Sequence, residues 1–186
     1  MNDQKEKFCA KYNPNHDSNE ALNKGILASV QRGYLYTPNL TYDKKKEIYV
    51  FWRQTMFELG KKYCKEQSIE VFCKDIKTLQ DEMNKKFPDA FKNGHGDKGF
   101  VEEFRVAHAQ KSFAIYLKHL WCLSESMPEP PSCPMDKNIF RIVGINASWT
   151  KVNDIELYKQ HYRRVKQYAE TAGRTVACWE LFSFNN

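Results

Sequence analysis

Two lysines in one predicted helix, Lys111 and Lys118, are the side chains most suited to nucleophilic chemistry. Seven residues make two helical turns, so their Cα atoms are expected about 10 Å apart on one face. Alanines and aromatic residues share this face, and partial desolvation favours a neutral amine, which has the lone pair that Schiff-base chemistry needs. The alternative is that both ammonium groups extend along the helix surface into water.

A carboxylate, Asp136, is predicted to open the next helix along the chain. Residues 128–134 contain four prolines, so this segment must be an extended connector rather than a helix. Pro134 suits the first position of a new helix, which places Asp136 over free backbone N–H groups at the positive end of the helix dipole. We therefore expect a rigidly placed carboxylate, although capping alone is the alternative role.

The segments that carry these residues resemble the catalytic half of the helix–hairpin–helix DNA glycosylase superfamily. They are AQKSFAIYLK at 109–118 and PSCPMDKNIF at 131–140, and the likeness is greatest to the 8-oxoguanine branch. In those enzymes a lysine-bearing helix leads through a loop to a Pro-Val-Asp step, and residues 134–136 (Pro-Met-Asp) stand in its place here. Residues 172–183 also resemble the closing helix of the superfamily, so the resemblance covers about residues 100–184.

The resemblance implies a DNA-repair glycosylase that excises an oxidised purine from double-stranded DNA without a cofactor. The target nucleotide is rotated out of the duplex, because its glycosidic carbon is unreachable inside the stack. Lys111 would attack C1′, and Asp136 would take the lysine proton or stabilise the positive charge on the sugar. The resulting Schiff base can eliminate and nick the strand, which would be AP lyase activity. Lys118 would replace Lys111 or contact a phosphate.

The same resemblance suggests further substrate-binding side chains. Trp121 and Trp149 are candidates to stack on the flipped base, with packing in the core as the alternative. His108 and His119 lie on a neighbouring stripe of the helix, where a structural histidine is the alternative to a catalytic one. Together with Lys118, the predicted substrate-binding residues are therefore Trp121, Trp149 and His108.

The hydrophobic pattern predicts an all-α fold, with a single helical domain over residues 41–186 and an irregular arm over residues 1–40. The resemblance implies that this domain is a compact, glycosylase-like one. The arm is expected to contain one short helix near residues 20–31. Further helices are predicted from residue 43, from Ser68 to residue 87, over residues 100–123, from Pro134, and from Asn153 or Asp154 to Gly173. Residues 174–184 fit either a helix or a strand.

Three glycines, at positions 94, 96 and 99, match a dinucleotide-binding pattern. A helix is predicted before them where that fold needs a strand, so the glycines do not predict a dinucleotide-binding fold. A glycine turn at a helix start could still offer N–H groups to a phosphate, and a flexible loop is the alternative.

The six cysteines give no indication of a metal site. No two of them have the spacing of a zinc finger or of a thioredoxin motif. We therefore predict no bound metal. Cys64, Cys122 and Cys178 each lie among apolar neighbours and are expected to be reduced thiols in the core.

The formal net charge of +6 is unevenly distributed. Basic residues outnumber acidic ones by seven to four in residues 41–66 and by eight to four in 137–186, whereas residues 100–136 have three against five. Two basic flanks could contact phosphates on either side of a site, and a mildly basic solvated surface is the alternative.

No apolar run approaches the roughly 20 residues that cross a bilayer, so no membrane partner is expected. The polar first residues lack the apolar stretch of a secretory signal. These features predict an intracellular, cytoplasmic protein, associated with the nucleoid or nucleus if it binds DNA.

A second hypothesis comes from a different class: a non-catalytic helical module that binds protein or nucleic acid. In it, Lys111 and Asp136 form only an ion pair or a cap. The 12 Phe, 10 Tyr and 4 Trp residues would then serve the core and an interface.

Overall fold

A computed structural model describes residues 1–30, 35–91 and 103–185 of the chain. This part is all-α, which confirms the predicted fold class, and it contains no strand. None of its helices is long and apolar enough to span a membrane. The helices are α1 (Asn2–Tyr12), α2 (Ser18–Val30), α3 (Tyr42–Gly60), α4 (Ile69–Lys86), α5 (Val106–Leu123), α6 (Lys137–Ile142), α7 (Ile155–Thr171) and α8 (Val176–Asn185), with short 3-10 helices at Lys61–Cys64 and Trp149–Lys151.

Helix α5 lies at the centre of the fold, and 14 of its 18 residues are buried. Helices α1, α2 and α4 pack along it. Its apolar residues Val106, Phe113 and Leu117 are buried, and most of the other faces of the helix are buried as well. The helix that carries Lys111 is therefore enclosed by its neighbours, so its polar side chains need partners within the protein.

Helix α5 begins later than residue 100, where the sequence analysis placed its start. In the described part of the chain, Arg105 is extended and the helix begins at Val106. The cause is the Asn84 side chain on α4, which accepts from the Phe104 N–H at 2.7 Å and donates to the Phe104 carbonyl at 2.9 Å. Both backbone groups of Phe104 are thus used outside the helix.

The helix predicted near residues 20–31 is confirmed as α2, whereas the prediction that the rest of the arm is irregular is wrong for Asn2–Tyr12, which form α1. Ala21, Leu22 and Ile26 of α2 belong to the main core. Helix α1 inserts Phe8 and Cys9 into a second apolar cluster with α5 and α8. Helix α1 is mostly polar, so its helical state depends on this packing more than on a sequence pattern.

The helices predicted from residue 43, from Ser68 and from Asn153 or Asp154 are confirmed as α3, α4 and α7. The Ser68 hydroxyl accepts from the Val71 N–H at the start of α4, and the apolar residues at helical spacing from Phe72 to Phe87 are buried. Asp154 caps α7, which ends before Gly173, whose φ of 65° lies in the left-handed region that glycine adopts readily. Residues 176–185 are helical, which decides between the two alternatives for this segment.

Helices α2 and α5 approach closely at Gly25, and this contact can be tested. A Cβ atom on Gly25 would lie 2.4 Å from the backbone oxygen of Ser112. At an exposed helical position, Gly→Ala stabilises by about 1 kcal/mol. Here we expect the opposite sign, a loss of about 1–3 kcal/mol in the free energy of unfolding measured with urea, because the two helices must separate.

The matched control is Leu27→Ala on the exposed side of the same helix, where Leu27 is 46% exposed. This change should alter stability by less than about 0.5 kcal/mol. A Gly25→Ala protein that is as stable as the parent, or more stable, would show that α2 does not approach α5 at this point.

Candidate functional site

The structure brings Lys111 and Asp136 together. The Lys111 Nζ atom lies 3.3 Å from Asp136 Oδ2, and the two side chains are 14% and 27% exposed. Lys111 lies on α5 and Asp136 immediately before α6, and the extended connector between them carries the chain back past Lys111. An amine and a carboxylate from adjoining helices therefore meet at one partly accessible place.

Asp136 is the N-cap of α6 and lies just outside the helix. The prediction that α6 begins at Pro134 is wrong, because the backbone of Asp136 is still extended and the helix begins at Lys137. Asp136 Oδ1 accepts from the N–H groups of Asn138 and Ile139 at 2.9 and 3.4 Å. Its other oxygen faces Lys111, so the cap and the ion pair together hold the carboxylate at a defined position.

The sequence predicts a neutral Lys111 amine, and the groups beside Nζ in the structure are a carboxylate and an aromatic ring. The Asp136 carboxylate lies within ion-pair distance, and the Trp149 ring centroid lies 4.6 Å from Lys111 Nζ. A carboxylate and an aromatic face both interact favourably with an ammonium group. An attacking amine must be unprotonated, and the Asp136 carboxylate, 3.3 Å from Lys111 Nζ, lies where it can accept the proton.

His108 lies beside Trp149, with ring centroids 6.1 Å apart, and is 5% exposed. Burial lowers the pKa of His108 to about 3, and the positive charges of Arg105 and Lys111 act in the same direction. Among the described residues, its Nδ1 atom has no hydrogen-bond partner. His108 is thus a neutral ring packed against Trp149, and both of these predicted residues lie beside Lys111.

Lys118 and Trp121 make their contacts in a different cluster. Lys118 Nζ pairs with Glu180 Oε2 at 2.7 Å, and the rings of Phe8 and Phe184 lie 4.5 and 4.1 Å from it. Both charged side chains are almost fully buried, 6% and 4% exposed. Trp121 contacts Lys5 of α1. The structure therefore does not bring Lys118 or Trp121 to Lys111, since α1 and α8 close over that side of α5.

Glu180 is a residue that the sequence analysis missed. Burial raises the pKa of its carboxyl group, and the neighbouring Lys118 partly opposes this shift. Breaking such a buried pair leaves an uncompensated charge inside the protein, which typically costs about 3–5 kcal/mol. The pair thus joins α8 to α5, which gives Lys118 a role in stabilising the fold.

Gln110 is a second residue that the sequence analysis missed. Its side chain is 2% exposed, and its amide donates to the Met135 carbonyl and accepts from the Met135 N–H. Met135 directly precedes Asp136, and Gln110 directly precedes Lys111. A sequence signal existed, because a glutamine within a buried apolar helix requires hydrogen-bond partners.

The predictions on the three glycines, the cysteines and a metal site have the following outcomes. The glycines at 94, 96 and 99 lie outside the described residues. Cys122 and Cys178 are buried free thiols as predicted, whereas Cys64 is exposed because it ends the 3-10 helix after α3. Within the described ranges no group of three or more His, Cys, Asp or Glu side chains could hold a metal ion.

Comparison with known proteins finds no matching family model, no similar curated protein and no similar solved structure. The resemblance to the glycosylase superfamily therefore stays a prediction.

The pKa of His108 predicts a specific dependence of stability on pH. Unfolded histidine takes up a proton near pH 6.5, whereas folded His108 does so only near pH 3. Between these values the unfolded state binds more protons, so stability falls as the pH falls. We expect His108 to contribute about 2–3 kcal/mol to the loss between pH 7 and pH 4.5.

The measurement is the free energy of urea unfolding across this pH range for the parent and for His108→Gln. The variant should lose less stability on acidification than the parent does. His16→Asn is the control, since His16 is exposed and its backbone φ of 52° suits asparagine. Parallel curves for parent and His108→Gln would contradict the buried, neutral ring.

Proposed function

We propose that this protein is a DNA-repair glycosylase that excises an oxidised purine through Lys111, with a lyase step that follows from the Schiff base. The observation that supports the proposal is the 3.3 Å contact between Lys111 Nζ and Asp136 Oδ2. The two groups come from adjoining helices, and both remain partly accessible. This is the pairing of amine and carboxylate that the resemblance implies.

In the proposed reaction Asp136 accepts a proton from the Lys111 ammonium group, and the free amine attacks C1′ of an extruded nucleotide. A bond forms between Nζ and C1′ while the bond from C1′ to the base breaks. The electron pair of that bond leaves with the base, which takes the proton held by Asp136. The C1′–O4′ bond then opens, O4′ becomes a hydroxyl group, and loss of a proton from Nζ leaves the Schiff base. Asp136 also lies where it can stabilise the positive charge that develops on the sugar.

The surroundings of Lys111 support a role for Trp149 in this proposal. Trp149 is partly exposed and lies over Lys111, so its indole is placed to stack on a base delivered to the amine. His108 is too deeply buried for such contact and instead packs against Trp149. We assign Trp149 to base stacking and His108 to its support.

Exposed basic residues flank Asp136 on the next elements. Lys137 and Arg141 of α6 are exposed, and Arg164 of α7 donates from Nε to the Val143 carbonyl at 3.2 Å. Cations on two neighbouring helices suit the phosphates on either side of an extruded nucleotide. These residues belong to the basic segment that the sequence analysis identified.

The non-catalytic alternative has an observation in its favour. Lys111 and Asp136 satisfy each other, and Asp136 also caps α6, so both charges have a structural use without any substrate. Under this hypothesis the protein binds nucleic acid or protein but forms no covalent intermediate.

Borohydride trapping distinguishes the two functions. The protein is incubated with duplexes that contain 8-oxoguanine or an abasic site, borohydride reduces any Schiff base, and the adduct is located by peptide mass spectrometry. We expect an adduct on Lys111 that is absent in Lys111→Ala. Asp136→Asn should slow its formation by about 10²–10⁴-fold, because the proton acceptor is lost.

Lys159→Ala is the matched control, since Lys159 lies on α7, where it pairs with Glu156. This variant should form the adduct at the parental rate. No adduct from the parent protein on either duplex would reject the glycosylase and leave the binding module. An adduct that persists in Lys111→Ala would assign the chemistry to another amine.

A further inference from the structure

The connector between α5 and α6 cannot form regular secondary structure, so its buried backbone groups need side-chain partners. Ser132, Cys133 and Met135 are each 2% exposed or less. Prolines at 130, 131 and 134 interrupt the donors that a strand or a helix would use. Each hydrogen bond that the connector makes therefore fixes part of its path.

Gln110 supplies both partners for Met135. The Gln110 Nε2 group donates to the Met135 carbonyl at 2.7 Å, and the Met135 N–H donates to Gln110 Oε1 at 3.1 Å. One planar amide thus pairs with the backbone of one residue at two points, as a neighbouring strand would. Two simultaneous bonds restrain both the distance and the orientation of Met135 relative to α5.

The ion pair and this double hydrogen bond join adjacent residues of α5 to adjacent residues at the end of the connector. Gln110 to Met135 spans 25 residues, and Lys111 to Asp136 follows directly, one residue later on each side. A shift of Met135 would carry Asp136 with it, because the two residues share a peptide plane. The cap on α6 orients the carboxylate, and the Gln110 contact sets how far it lies from α5.

We propose that Gln110 is a positioning residue that sets the separation of Lys111 Nζ from Asp136 Oδ2 by holding Met135. It touches neither reacting group, and it acts through the connector alone. Where it concerns catalysis, this inference rests on the proposed function. A misplacement of about 1 Å can cost about 10²-fold in rate, so the trapped adduct should form about that much more slowly in Gln110→Met.

A labelling experiment tests the positioning without DNA. The folded protein is treated with a trace of acetic anhydride, and acetylation of Lys111 relative to Lys159 is measured by peptide mass spectrometry. In the parent, the ion pair with Asp136 holds the Lys111 side chain at 14% exposure, so the reagent reaches the amine slowly. Gln110→Met is similar in size but lacks both hydrogen bonds, and Lys111 should react severalfold faster as Asp136 moves away and the amine is freed.

Tyr162→Phe is the matched control. The Tyr162 hydroxyl donates to the Pro131 carbonyl at 3.0 Å, so this variant also loses a hydrogen bond to the connector, but five residues from Asp136. Lys111 reactivity should stay within about twofold of the parent, because Met135 remains held. An equal rise in both variants would show general loosening and would overturn the proposal.

A double variant separates positioning from a direct effect. Asp136→Asn should itself raise the reactivity of Lys111, and adding Gln110→Met should raise it no further, because no carboxylate remains to be displaced. Multiplicative effects would overturn the proposal, as would unchanged reactivity in Gln110→Met. If Gln110→Met fails to fold, Gln110→Glu keeps the bond from the Met135 N–H, loses the donor to the carbonyl, and should raise reactivity in the same direction.

The outcomes of the two experiments are distinguishable. A parent protein that forms no adduct rejects the glycosylase and leaves the labelling result standing. A Gln110→Met protein with parental labelling rejects the positioning role and leaves the trapping result standing.

Discussion

Helix α5 is buried on nearly every side, and this burial governs how the elements around it are placed. A polar side chain on a helix enclosed in this way must find a partner, because an unpaired buried polar group costs about 1–3 kcal/mol. Ser112 accepts from the Trp52 indole at 3.2 Å and donates to the His108 carbonyl at 2.8 Å. Gln110 pairs with Met135, and Lys118 pairs with Glu180. These contacts determine where α3, α6 and α8 lie around α5.

The same burial gives two lysines of one helix different environments. Lys118 points toward α8, where Glu180 neutralises it beneath the rings of Phe8 and Phe184. Lys111 lies nearer the start of the helix, where Asp136 and Trp149 leave it 14% exposed. Of these two lysines, only Lys111 combines a carboxylate partner with access from outside, and the proposed chemistry is assigned to it for that reason.

Local patterns in the sequence were enough to predict α3, α4 and α7. Their apolar positions recur at helical spacing, and Ser68, Asp154 and Gly173 act at their ends as cap and turn residues do. Helix α1 was not predictable in this way, because its polar sequence is held by Phe8 and Cys9 against α5 and α8. Local sequence does not show which distant surface will receive two apolar side chains.

The candidate site was predictable in part for the same reason. Lys111 and Asp136 were found because a lysine-bearing helix, a proline connector and a helix-opening carboxylate are local features. The partner of Lys118 was not predictable, since Glu180 is 62 residues away and only the tertiary packing brings it next to Lys118. Gln110 was overlooked because a single glutamine in an apolar helix shows a need for partners but does not identify them.

The contact between the Lys111 amine and the Asp136 carboxylate in the folded protein can be tested directly. A carbodiimide couples an amine to a carboxylate without adding a spacer, so it joins only groups that already touch. After brief treatment and digestion, we expect an amide bond between Lys111 and Asp136, seen by mass spectrometry as one linked pair of peptides. Recovery of Lys111 joined to a different carboxylate, or to none, would contradict it.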